Sequence, residues 1–165
     1  MKDQSTRSKI ENNRLCYIQY HLSDFAILQV YKQISATEGA PPQDRLVDIE
    51  LDTNGLKDSS AALLFEAVSK SRHLKRLRFK NNEFGVQTAE AIGKMLLWPF
   101  PYHLEHLVLH NVKTSLQAMK IFLNYLKKSR GLKTLRLRAI DLNHKDVSEG
   151  LMKFLRLNVG NLESL

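Results

Sequence analysis

The chain has 165 residues, 43% of them hydrophobic, which is enough for one domain with a sizeable buried core. Lysine and arginine number 25 against 17 acidic residues, and the formal net charge of +8 favours an acidic partner surface, nucleic acid or an anionic membrane without choosing among them. No apolar run approaches the roughly 18 residues of a membrane span, the first residues carry no signal-peptide core, and the lone Cys16 excludes an internal disulfide framework.

Residues 1–14 read as a polar, flexible lead-in. Residues 15–45 look like a worn first unit, with Leu15, Ile18, Tyr20 and Phe25 at offsets 0, 3, 5 and 10. Phe25, Ile27, Leu28, Tyr31 and Ile34 follow at helical spacing until Gly39, Pro41 and Pro42 end the segment. Cys16, set among Leu15, Tyr17 and Ile18, reads as a buried small hydrophobe.

From Leu46 the pattern sharpens. Leu46, Ile49, Leu51, Asn54 and Leu56 hold offsets 0, 3, 5, 8 and 10, and Leu74, Leu77, Phe79, Asn82 and Phe84 hold them again. Leu104, Leu107 and Leu109 keep the strand part but place Val112 and Thr114 at the last two offsets, with Asn111 one residue early as a substitute for the asparagine. Leu132, Leu135, Leu137 and Leu142 continue the series with Ile140 in the asparagine's place, so a rearranged loop is expected there. A further unit opens at Leu162 and reaches Leu165. The starts are spaced by 28, 30, 28 and 30 residues.

Between the strand segments, residues 58–71, 86–97, 114–129 and 143–157 are expected to be helical. Leu116, Met119, Leu123 and Leu126 form one apolar stripe; Val147, Leu151, Phe154 and Leu155 form another. Asp58, Ser59, Thr114, Ser115 and Asn143 stand at capping positions. Pro99 stops the second helix, and Trp98 and Phe100 are expected to cover the loop side of the core.

This array resembles the ribonuclease-inhibitor-like class of leucine-rich-repeat proteins, well over residues 46–165 and loosely over 15–39. The resemblance implies an α/β fold: a right-handed solenoid with a parallel sheet on its concave face and α-helices on its convex face. Residues 46–165 are then the repeats, the last one truncated, and 15–45 a degenerate N-terminal capping repeat. The consensus asparagine ties neighbouring loops by bonding their backbone groups. Members of the class include interaction scaffolds, a Ran GTPase activator and the actin regulator tropomodulin.

The sequence holds no Gly-rich phosphate loop, no G-x-S-x-G, no H-E-x-x-H and no cysteine pair, so neither an enzyme nor a cofactor is expected. His103, His106 and His110 cluster, but on one strand face His106 and His110 stand about 13 Å apart, too far for one ion with ligands at about 2.1 Å. The outward strand positions carry more information. Side by side they give the rows Asp48–Arg76–His106–Thr134, Glu50–Arg78–Val108–Arg136 and Asp52–Lys80–His110–Arg138. An acidic strip therefore meets a basic field, with cross-strand pairs such as Glu50–Arg78 expected at the boundary. Lys127, Lys128 and Arg130, with Lys133 following, read as basic residues favoured by a helix C-terminus.

The resulting expectation is a protein-interaction scaffold that binds an acidic partner surface through Arg76, Arg78, Lys80, His106, His110, Arg136 and Arg138. Regulation of a GTPase or of the actin system is the alternative that the resemblance implies. Nucleic acid is disfavoured, because no exposed aromatics interleave the basic residues for base stacking. One cysteine and no membrane span suit an intracellular, cytoplasmic protein. The unfinished unit at Leu162 is expected to be covered by further repeats or by another chain within a larger assembly.

Overall fold

Alternation decides the strands. In β4 (Arg76–Lys80), Leu77 and Phe79 are buried while Arg76, Arg78 and Lys80 face outward, and β6 (His106–His110) repeats the pattern with Leu107 and Leu109 inside. The computed structural model describes residues 10–11, 14–18, 30–32, 47–53, 55–70, 73–99 and 104–158. The readings made for Tyr20, for residues 25–28 and 34–42, and for Leu46, Asn54, Phe100, His103 and Leu162 onward lie outside these residues.

The fold is α/β. Strands β1 (Ile10–Glu11), β2 (Arg14–Ile18), β3 (Asp48–Asp52), β4, β6 and β8 (Thr134–Arg138) form one sheet in that order. The β1–β2 pair is antiparallel and every other pair parallel. Two short strands, β5 (Glu83–Phe84) and β7 (Lys113–Thr114), pair in a second ladder. Helices α1 (Asp58–Lys70), α2 (Val86–Leu96), α3 (Leu116–Leu126) and α4 (Lys145–Asn158) follow β3, β4, β6 and β8 respectively. Each helix packs on the next in chain order. No helix among the described residues is long and apolar enough to cross a membrane.

The N-terminal register corrects the offset reading of the first unit. β2 pairs with β3 so that Leu15, not Ile18, lies opposite Ile49, and Tyr17 lies opposite Leu51. Leu15 is fully buried, and the strand's two-residue period overrides the looser match at wider offsets. The segment read as a flexible lead-in contains strand at Ile10–Glu11 and at Arg14.

The core lies between the sheet and the helices. Phe65 of α1 meets Phe79 of β4 edge-on with ring centroids 5.3 Å apart, and Phe84 meets Phe122 of α3 in the same way at 5.6 Å. The stripe on α3 is rotated from its expected phase: Ala118, Met119, Phe122, Leu123 and Leu126 are buried, whereas Leu116 is 39% exposed. On α4, Val147 and Phe154 are buried and Leu151 and Leu155 pack partly against the core. A Cβ at Gly93 of α2 would run into the ring of Tyr125, so glycine there sets how closely α2 and α3 approach.

The helix ends follow local chemistry. Ser115 caps α3, its hydroxyl accepting from Ala118 N at 3.2 Å. Asp58 is the first residue of α1, yet its carboxylate caps α2, accepting from Gln87 N at 3.0 Å and Thr88 N at 2.8 Å. Asn143 does not cap α4; its N–H donates to Asp141 Oδ1 at 3.0 Å and the helix starts at Lys145. α2 closes at Leu97, Pro99 follows, and Trp98 packs against the core. The loop at Ile140 differs as expected, since residues 140–143 form no strand and the β5–β7 ladder does not reach them.

Candidate functional site

The outward face of the sheet gathers the charged residues. The observed register reproduces the three lateral rows: Asp48 opposite Arg76, His106 and Thr134; Glu50 opposite Arg78, Val108 and Arg136; Asp52 opposite Lys80, His110 and Arg138. β2 adds Arg14 beside Asp48 and Cys16 beside Glu50, which the sequence reading did not align.

Ion pairs across these rows run diagonally. Arg78 Nη1 donates to Asp48 Oδ1 and Oδ2 at 2.8 and 3.1 Å, one row away, and stands 3.7 Å from its direct neighbour Glu50. Lys80 Nζ donates to Glu50 Oε1 at 2.6 Å, and Arg14 reaches Glu50 Oε2 from the other side. The expected Glu50–Arg78 pair is present as a longer ion pair, and the shorter bonds fall one step along the strand because long cationic side chains lean along it. Asp48 and Glu50 end up only 8% and 7% exposed. Burial raises the Glu50 carboxyl, but the bonds from Lys80 and Arg14 outweigh it and hold the group below the usual carboxylate range. Cys16 is half-buried rather than enclosed, and burial, with Glu50 beside it, pushes its thiol up.

Just outside the strands a second cluster forms. Glu105 binds Lys75 Nζ at 3.2 Å and Lys133 Nζ at 2.8 Å, so Lys133 belongs to this triad and not to the helix end. Arg130 does serve the end of α3, donating to Lys127 O and Ser129 O at 3.2 Å each. The triad was legible only once Lys75, Glu105 and Lys133 were seen to share a register position.

Beyond the C-terminal strand ends runs a polar ladder. Thr53, Asn81, Asn111 and Ala139 all adopt positive φ, between 48° and 53°. Asn111 Nδ2 donates to Asn81 Oδ1 at 2.8 Å, and Asn81 Nδ2 to Asp52 Oδ1 at 2.6 Å. Asn111 thus matches Asn81 and is no substitute for Asn82. Asn82 is buried and ties the loops: its Oδ1 accepts from Leu56 N at 3.2 Å, and its Nδ2 donates to Lys80 O at 2.7 Å and Leu51 O at 3.3 Å. In the next unit Val112 fills that place with a buried apolar side chain.

With Asp48 and Glu50 paired to Arg14, Arg78 and Lys80, and Asp52 bonded by the neutral Asn81 and Thr53, a basic remainder is left. Arg76, Arg136 and Arg138 are exposed, and none of the three forms an ion pair among the described residues. Val108 is the one short apolar side chain in a row otherwise flanked by arginines, and above it lies an open hollow of about 170 Å³. Arg76, Arg78, His106, Thr134 and Arg136 surround Val108 there. His106 Nδ1 and Thr134 Oγ1 are 3.1 Å apart on its wall. The structure therefore brings Arg76, Arg78, His106 and Arg136 round one point, while Lys80, His110 and Arg138 stand in the adjoining row. Compared with models of known protein families and with curated protein sequences, the chain matches none.

Proposed function

We propose that this chain is a leucine-rich-repeat solenoid of the ribonuclease-inhibitor-like class, acting as a non-catalytic interaction scaffold inside the cell. Its strand face, concave on this reading, holds the acidic surface of a protein partner. Support for the class comes from the in-register parallel strands, the helices stacked in chain order and the loop-tying role of Asn82. The observation that carries the function is the contrast within one face: Asp48 and Glu50 are spent on Arg14, Arg78 and Lys80, whereas Arg136 and Arg138 are exposed and bind no carboxylate among the described residues. Guanidinium groups so placed suit bidentate recognition of carboxylates.

A poly-glutamate peptide titrated into the full chain tests this. Binding that weakens as salt rises, and disappears in the Arg136→Glu/Arg138→Glu variant, is the expected result. Equal binding by the variant, or none by the native chain, overturns it.

A further inference from the structure

The hollow above Val108 is shaped for more than general attraction. Arg78, on its wall, is already bonded to both oxygens of Asp48. Arg76 and Arg136, on opposite sides of Val108, are exposed and carry no ion pair among the described residues, which leaves two uncompensated guanidinium charges facing one opening. A carboxylate brings one charge and is satisfied by a single bidentate arginine. A phosphate monoester brings about −1.5 to −2 charges and three acceptor oxygens, which two guanidinium forks can share. The space also suits the larger group. At about 30 Å³ for one water in the liquid, a hollow of about 170 Å³ holds a tetrahedral group with part of the side chain that bears it. His110 and Arg138 extend the face along the strands, where acidic residues flanking that group would lie.

We propose that the hollow over Val108 is a phosphate-binding subsite for a phosphorylated side chain within an acidic segment of a protein partner. This rests on the scaffold reading and names the group that anchors it.

The test uses three short peptides of aspartate and glycine, carrying at the centre phosphoserine, glutamate or serine, each titrated against the full native chain and against Val108→Phe. Phenylalanine fills the hollow and keeps every arginine; on a strand it is well tolerated. Thermal unfolding of the variant confirms that it folds, and Val108→Leu serves if it does not. The phosphopeptide is expected to bind about tenfold tighter than the glutamate peptide, the equivalent of about 1.4 kcal/mol, and the filled variant is expected to lose that preference while still binding both. Equal affinity for the three peptides, or a preference that survives in the filled variant, overturns the subsite and leaves the scaffold reading standing. Binding of no peptide overturns both. Inorganic phosphate alone is expected to compete only weakly; if it binds as tightly as the phosphopeptide, the hollow is a site for free phosphate and the peptide proposal falls.

Discussion

Asp58 and Thr88 stand thirty positions apart in the chain, yet the carboxylate of Asp58 accepts the Thr88 N–H at 2.8 Å and the Thr88 hydroxyl donates to Asp58 O at 3.1 Å. The first residue of α1 thereby serves as the N-terminal cap of α2. Gly85, at the cap position itself, has no side chain to offer, and a Cβ there would collide with the Asp58 carboxyl group. Capping across the boundary makes the start of α2 depend on α1, and so couples the folding of these two units.

Replacing Asp58 with alanine removes both bonds to the backbone of α2 and is expected to cost about 1–2 kcal/mol. The cost should also depend on pH. Burial raises the Asp58 carboxyl, but the bonds from Thr88, Gln87 and Gly85 dominate and hold it below the ordinary aspartate value. A lowered folded value means that the contribution is complete above the unfolded value of about 3.9 and is lost as pH falls through the folded one. Urea unfolding of native and Asp58→Ala chains should show a gap at pH 7 that narrows as pH drops below that range. A gap that stays constant would contradict the assignment.

The same sign applies to Glu50. Its carboxyl is held low by Lys80 and Arg14, so its contribution is present above about pH 4.3 and lost on acidification. Glu50→Gln is expected to cost about 1–2 kcal/mol at pH 7, less than for an enclosed pair, because the side chains of Arg14 and Lys80 remain 45% and 23% exposed. Melting temperatures across pH 7 to pH 3 provide the check. The variant should lose less on acidification than the native chain.

How much of this was legible from sequence varies with range. Strands and rows were readable because the two-residue alternation and the near-constant interval both act locally, and Leu77 and Phe79 announce them directly. Ion-pair partners were readable only in part: Glu50 does pair with Arg78, but the closer bond to Asp48 depends on side-chain lean along the strand. Arg14 was missed because the first unit's register is fixed by burial of Leu15, whose spacing from Ile49 is longer than the later intervals. The row Arg78–Val108–Arg136 was readable from the repeat spacing, but the hollow over Val108 depends on how the long side chains around it pack, which spacing does not specify.

The asparagine ladder stops at Ala139. That residue holds φ at 50°, as Asn111 holds 48°, without the side chain that makes the left-handed region tolerable. Ala139→Asn should relieve backbone strain and place an amide next to Asn111, whose N–H donates to Arg138 O at 2.9 Å. A gain of about 0.5–1 kcal/mol is expected, read as a higher urea midpoint with unchanged slope. A loss of stability would show that the ladder position is filled for another reason.

Arginines on the two sides of Val108 should answer differently to charge reversal. Arg78→Glu puts a third carboxylate beside Asp48 and Glu50, which are 8% and 7% exposed, and strips Asp48 of its bonds from Arg78. About 3 kcal/mol of stability should be lost, because an uncompensated buried charge is costly. Arg136→Glu/Arg138→Glu alters exposed side chains with no ion pair among the described residues and should stay within about 0.5 kcal/mol of the native chain. Circular dichroism melts of the two variants, run beside peptide binding, separate arginines that hold the fold from arginines available to the proposed partner. If the Arg136 and Arg138 pair proves as destabilising as Arg78, those side chains are structural and the interaction face shrinks to Arg76.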